Sequence, residues 1–138
     1  VRLASVGQSN MQLDTHLDID TSLCGKVTKL EPGYAEVLLH TTQQMSVDGH
    51  GLVHGGFVFG AADFSAMSAV NDPYVVLGAS TSKFTAPVRV GDAVVCKACV
   101  TSEKGKKREV AVHAFVANTL VFEGRFTTFV LDSHVLVD

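Results

Sequence analysis

Apolar and polar residues alternate along most of this 138-residue chain, and the alternation lapses at one place. Two alternating runs lie in CGKVTKLEPGYAEVLLHTT, joined by Glu31-Pro32-Gly33, and Pro followed by Gly is turn chemistry, so the segment predicts a hairpin. From Tyr74 onward four further runs read as strands: YVVLGASTSKFTAPV, AVVCKACVTSEK, REVAVHAFVAN and LVFEGRFTTFVLD. They are punctuated by Gly91-Asp92, by Lys104-Gly105-Lys106 and by Asn118-Thr119. The lapse is Gly56 to Val70, GFVFGAADFSAMSAV, which is too long and too rich in Ala and Met for a strand. It predicts a helix that Asn71-Asp72-Pro73 stops. Because its apolar residues cover every side, the expectation is a helix buried all round. Residues 42 to 55 predict a polar, Gly-rich loop, and LDTHLDID, Leu13 to Asp20, a short helix or a lead-in strand.

These elements sum to an α+β architecture: an antiparallel sheet of five or six strands wrapped around one central helix. Without a repeat, linker or low-complexity tract, the chain reads as one domain over residues 1 to 138, with 1 to 20 a poorly defined lead-in. At this length a chain buries roughly two thirds of the surface that its unfolded form exposes. Hydrophobic residues make up 46% and charged residues 18%, a balance that predicts a packed core.

Charge narrows the partners. The formal charge is -3, and the one basic run, Lys104 to Arg108, is flanked by Glu103 and Glu109. No broad cationic face is offered to nucleic acid, and a DNA-binding segment has no room in this length and charge. Cys96 and Cys99 form a C-x-x-C, but in an alternating strand they point to opposite faces, and no second Cys/His pair stands at zinc-ligand spacing. They read as ordinary cysteines in a reducing compartment. No apolar run approaches the roughly 20 residues that span a bilayer, and VRLASVGQSN lacks a secretory h-region, so the expected location is cytoplasmic without membrane insertion. The first residue given is Val1, which limits any argument about targeting.

The chemistry concentrates around Asp63, a carboxylate in the middle of an otherwise apolar helix. An unpaired carboxylate removed from water costs several kcal/mol, so it is normally paired, protonated or functional; the alternative is that one helix face reaches solvent. Ahead of it stands His54-Gly55-Gly56. Two glycines at a helix start admit a ligand close to the backbone, and the free N–H groups and the dipole there attract an oxyanion or carbonyl oxygen. Asp63 is nine residues past His54, on the order of 10 Å along the axis. One protomer has trouble bringing both groups to one reacting carbon, and two helices side by side in a dimer would solve it.

The stretch DGHGLVHGGFVFGAADFSAMSAVN, followed by FTAPVRVGD, resembles the hotdog-fold acyl-CoA thioesterases of the phenylacetyl-CoA type. The resemblance rests on the spacing of His-Gly-Gly to the helix Asp, on Asn71, and on the F-x-x-P-x-x-x-G-D step at Phe84, Pro87, Gly91 and Asp92. It implies the hotdog fold, a homodimer with two sheets joined edge to edge, and two symmetric sites at the interface. Assembly into tetramers or hexamers is left open. It also implies an acyl-coenzyme A thioester as small-molecule ligand, with no metal and no other cofactor. The Gly55 N–H would polarise the thioester carbonyl, Asp63 of the partner subunit would activate water or attack directly, and His54 would orient the loop or bond the thioester. Asp48, Gly56, Phe57 and Ser80 complete the expected site as substrate contacts.

Two positions depart from that pattern. Related enzymes often carry Asn where this chain has Asp48, an acceptor that cannot donate when ionised. Asp48 would then either raise the pKa of one carboxyl of a pair with Asp63 or simply cap its loop. Related enzymes also often place a hydroxyl early in the strand after the helix, where this chain has Leu77 or Gly78, and Ser80 is the nearest. Hydrolysis of the thioester is therefore the first reading, binding without turnover the second, and hydration or dehydration of an acyl thioester the third. A structural or interaction role stays open, because one fold hosts many functions. Phe57, Phe59, Phe64 and Met67 fit either a core or an acyl tunnel.

Overall fold

A computed structural model describes residues 11–137. In chain order it contains α1 (Thr21–Cys24), β1 (Lys26–Glu31), β2 (Tyr34–His40), a 3-10 turn (Gln43–Met45), α2 (Gly55–Val70), β3 (Val75–Phe84), β4 (Ala93–Lys104), β5 (Lys107–Val116) and β6 (Thr119–Val130). All six strands join one antiparallel sheet in the order β1-β2-β4-β5-β6-β3, and α2 lies across its concave face. This is the sheet around one helix that the alternation predicts, and the hotdog fold that the resemblance implies. None of the helices among the described residues is long and apolar enough to cross a membrane.

Strand alternation sends one set of side chains toward α2: Ala35, Val37 and Leu39 from β2, Val94, Cys96 and Ala98 from β4, Val110, Val112 and Ala114 from β5, Phe122 and Phe126 from β6. Each fully buried Val, Leu or Phe contributes about 1.5–3 kcal/mol of hydrophobic stabilisation. The small residues Ala61, Ala62, Ala66 and Ala69 let the sheet curl tightly around the helix, and all four are buried. Cys96 faces this core while Cys99 is exposed on the outer face, as the alternation predicts.

Three expectations change. Leu13 to Asp20 forms neither helix nor strand; Asp20 is instead the N-cap of α1, its carboxylate accepting from Ser22 N, so the helical residues begin after it. The reading of residues 1–10 lies outside the described residues. α2 begins one residue earlier, at Gly55, because His54 takes an extended conformation and caps it. Nor is α2 buried all round: Gly56 is exposed, and Phe59, Gly60 and Asp63 are only partly covered. Residues at i, i+4 and i+7 share one helix face, so these positions make an open stripe.

At the far end of α2, Asn71 is the C-cap in the left-handed region (φ 55°, ψ 46°), and its N–H donates to Met67 O at 2.8 Å. Its amide also clamps the N-terminal segment: Oδ1 accepts from Asp14 N at 2.7 Å and Nδ2 donates to Gln12 O at 3.0 Å. Asparagine tolerates the left-handed conformation and supplies both a donor and an acceptor, which explains its place here.

Candidate functional site at the start of the central helix

The loop ahead of α2 is held from both sides. His54 N donates to Met45 O at 2.9 Å, Val53 N to Val88 O at 2.9 Å and Val90 N to Gly51 O at 2.8 Å. The F-x-x-P-x-x-x-G-D step is the support for this loop. Asp92 Oδ2 accepts from Arg89 N at 2.8 Å, Gly91 takes φ +98°, and the Asp92 carbonyl accepts from Thr41 N and Oγ1.

His54 Nδ1 accepts from Gly56 N at 2.7 Å, and the ring stands edge-on to Phe57 with centroids 6.1 Å apart. An accepting Nδ1 puts the ring proton of the neutral imidazole on Nε2, leaving a donor there. The Gly56 N–H is consumed by this cap, so of the two glycines only one keeps its expected role. Among the described residues the Gly55 N–H has no acceptor. Gly56 itself is required by the cap, since a Cβ there would stand 2.8 Å from His54 Nδ1. Gly56→Ala is expected to displace the imidazole and cost about 1 kcal/mol of stability; thermal melts of the two proteins check it, and an unchanged midpoint would show that the ring moves aside freely.

Gly55 borders a cavity of about 210 Å³ between the helix start, the end of β3 and the start of β6, lined by Leu52, Val53, Val58, Phe84, Pro87 and Val121 among others. Its lining side chains are apolar. Phe84 is 56% exposed and Leu52 40% exposed at its rim. Phe84 leans edge-on against Phe122 at 5.1 Å, and Phe122 and Phe126 both meet Phe59 of the helix. The sequence quotes Phe84 as part of the F-x-x-P step but gives no sign that it meets Gly55; that contact comes from β3 returning beside the helix start. A larger cavity, about 350 Å³, lies on the outer face of the sheet against Lys83, His113, Glu123 and Arg125, facing away from α2. Of these two cavities, the smaller one holds the free backbone donor.

Asp63 lies two turns further along the helix. It is partly buried, Oδ1 has no hydrogen-bond partner, and desolvation pushes the carboxyl up to about 6. Asp48 plays no part in that shift: its Oδ1 accepts from His50 N at 2.9 Å and Leu52 N at 3.2 Å, so it caps its own loop. Ser80, opposite Phe126 on the helix side of β3, is exposed and shares a hydrogen bond with Ser82 at 2.8 Å. Phe57 and Phe59 are partly buried beside the stripe, whereas Phe64 and Met67 are core residues. Among the described residues no group of His, Cys, Asp and Glu could hold a metal ion. One protomer thus brings His54, Gly55, Gly56 and Phe57 together, and leaves Asp48, Asp63 and Ser80 in surroundings of their own.

A scan of known family models returns no match. Over 123 residues the chain is 52% identical to part of methylthioribose-1-phosphate isomerase of Aquifex aeolicus, covering 88% of this chain but 27% of the isomerase. The chain therefore spans about a quarter of that relative. It is 29% identical over 136 residues to the transcription factor FapR of a Thermoanaerobacter species, covering 98% of this chain and 68% of the factor. Among solved structures, an uncharacterized protein of Pyrococcus horikoshii superposes with a TM-score of 0.91 at 47% identity, over 92% of this chain and 98% of its own. The PaaI protein of the Escherichia coli phenylacetic acid degradation operon follows at 0.72 and 25% identity, over 79% and 85%. A hypothetical thioesterase of Streptococcus pneumoniae, solved with coenzyme A, shares the fold at 0.71 and 18% identity, over 79% and 87%. With its six-stranded sheet, its capped central helix and these likenesses, the chain belongs to the hotdog-fold family that includes the PaaI-type proteins.

Proposed function

We propose that the protein hydrolyses an acyl-coenzyme A thioester to the free acid and coenzyme A. The observation that carries this reading is the unpaired Gly55 N–H at the wall of an apolar cavity, on the same helix as a desolvated carboxylate. The thioester oxygen would accept from Gly55 N–H, where the helix dipole also favours developing negative charge. Asp63 would take a proton from water as the water oxygen adds to the carbonyl carbon. When the carbon–sulfur bond breaks, that proton goes to the departing thiolate. His54 holds the helix start in shape through Gly56 and keeps Nε2–H as a further donor.

Eight residues separate Gly55 from Asp63, about 12 Å along a helix, so the two groups would serve one carbon only if they came from different protomers. The two sheet edges support such a dimer at β3. Strand β1 carries a bulge between Val27 and Lys29 and the charges of Lys26, Lys29 and Glu31, features that block edge pairing. Strand β3 has no charged residue from Val75 to Ser82 and pairs on one side only. Tetramers or larger rings would be built from this pair.

Thiol release from a panel of acyl-CoAs tests the activity, and sedimentation of the same preparation tests the dimer. Background release with every thioester, or a purely monomeric protein with full activity, would remove the proposed mechanism. Binding without turnover is the second reading, favoured by Ser82 occupying Ser80 and by Asp48 being spent on its loop, which leaves no evident group to hold a water. Calorimetric binding of acyl-CoA with no thiol release would select it.

A further inference from the structure

Away from Gly55, the outer face of the sheet holds the larger cavity, about 350 Å³, and the charges around it are unbalanced. Strand register sets them out in two rows. Thr81 of β3, Arg125 of β6 and Ala111 of β5 stand side by side in one, and Lys83, Glu123 and His113 in the next. Lys83 and Arg125 are therefore diagonal neighbours, about 7–8 Å apart, a spacing at which like charges repel and two long side chains reach one point between them. The nearest carboxylates are engaged elsewhere. Glu123 Oε1 lies 3.9 Å from His113 Nε2. Glu109, one row further on, accepts from Thr127 Oγ1 at 2.8 Å and faces Lys107 Nζ at 3.8 Å. Among the described residues neither Lys83 nor Arg125 pairs with a carboxylate. In a chain of formal charge -3, two adjacent unpaired cations over a hollow stand out. Ala111 keeps the hollow open, since a longer side chain beside Arg125 would fill it.

We propose that this hollow is a second ligand site, one that takes a small phosphate ester carrying free hydroxyl groups, such as a sugar phosphate. It stands apart from the acyl-thioester reading. A phosphate between Lys83 and Arg125 would meet the guanidinium fork in two parallel hydrogen bonds and the ammonium as a point charge, and it would remove their mutual repulsion. Glu123 then decides what the rest of the ligand must offer. An ionised carboxylate repels a second anionic group but accepts from a hydroxyl. The Thr81 hydroxyl and the His113 imidazole flank the hollow with further polar atoms. At about 30 Å³ for a water-sized group, the cavity has room for about twelve, which suits a pentose phosphate. Its position argues against the coenzyme of a thioester bound at Gly55, because it opens on the face of the sheet away from α2. In the dimer proposed above, a partner strand would lie beside β3 in the plane of the sheet and leave this face uncovered.

Calorimetry of the full chain with ribose 5-phosphate, inorganic phosphate and coenzyme A tests the site in wild type, Arg125→Gln, Lys83→Gln, Thr81→Glu and Lys97→Gln. Ribose 5-phosphate is expected to bind wild type with a Kd of about 1 mM or lower, and Arg125→Gln and Lys83→Gln are each expected to weaken it by about tenfold. Inorganic phosphate, which has no carbon-borne hydroxyl for Glu123, should bind less tightly than the ester. Thr81→Glu sets a carboxylate opposite Arg125 without removing either cation and should abolish binding, so the site stays testable should a glutamine variant fold poorly. Lys97→Gln removes a cation that lies over Phe115, outside the cavity, and should bind as wild type does. No binding of ribose 5-phosphate, equal affinity for inorganic phosphate, or binding retained in both Arg125→Gln and Thr81→Glu overturns the proposal. So does a loss in Lys97→Gln as large as in Arg125→Gln, which would mean a diffuse effect of charge. Coenzyme A binding that Arg125→Gln weakens to the same degree also overturns it, by making the cavity part of the coenzyme's own site.

Discussion

Asp63→Asn is expected to lower thioester hydrolysis by about 10²- to 10⁴-fold while raising stability at neutral pH. The loss follows from removing the group proposed to accept the proton of water. The gain follows from the environment: the folded protein holds this carboxyl at about 6, against an ordinary value of 3.8, because burial disfavours its charge. Between those two values the folded state binds more protons than the unfolded state. Stability is therefore lost as pH rises through this window, and above about 6 the protein carries the full penalty of an ionised Asp63. That penalty is at most about 3 kcal/mol, reduced by the solvent that still reaches the side chain. Asparagine has the same shape and no charge to desolvate. Thermal melts should show the variant more stable than wild type near pH 8 and equal to it near pH 4. Wild-type activity should climb as pH passes through about 6, as the base ionises. A flat pH–rate profile between pH 5 and 8, or a variant that melts lower than wild type at pH 8, would contradict the assignment.

The second large effect concerns Phe122, which is fully buried and sits among Phe59, Phe84 and Phe126 at centroid distances of 6.3, 5.1 and 6.3 Å. Phe122→Ala is expected to cost about 3–5 kcal/mol, the transfer energy of the ring together with the hole it leaves. Urea unfolding measures this as a lowered midpoint at nearly constant slope. The damage should extend to the site, because Phe84 loses the ring it leans on. A cost under about 1 kcal/mol would mean that Phe59 and Phe126 collapse into the space.

The sequence carries the fold at the level of period: alternation marks five or six strands, of which the structure has six, and the apolar stretch GFVFGAADFSAMSAV marks the helix between them. It does not carry pairing order, because nothing local tells β3 to join β6 instead of β4. The open stripe at Gly56, Gly60 and Asp63 is invisible for a related reason. Two of these residues are glycines, and a helix with no polar face gives no clue to which side the sheet fails to cover. Residues 13–20 mislead because Leu13 and Ile19 pack against the core from an irregular segment, so their spacing imitates a regular element. At the site, His54, Gly55 and Asp63 stand out by residue type alone. The competing roles of Asp48 needed coordinates to separate, since both of its loop bonds run to backbone N–H groups that any residue could supply. Phe84 needed the long-range contact with Gly55.

The strand order also dictates when the molecule can be completed. Strand β3 is made directly after the helix, yet its one partner in the sheet is β6, the last of the described strands, so Phe84 pairs with Phe122 across nearly forty residues. While a ribosome produces that interval, β1, β2 and α2 can already meet, but β3 waits with both edges bare. Closing such distant contacts late is slow and leaves strand edges open to other chains. The uncharged run from Val75 to Ser82 is thus the segment most in need of protection before residue 130 emerges. A nascent chain held short of β6 would present it to whatever chaperone or neighbouring chain arrives first.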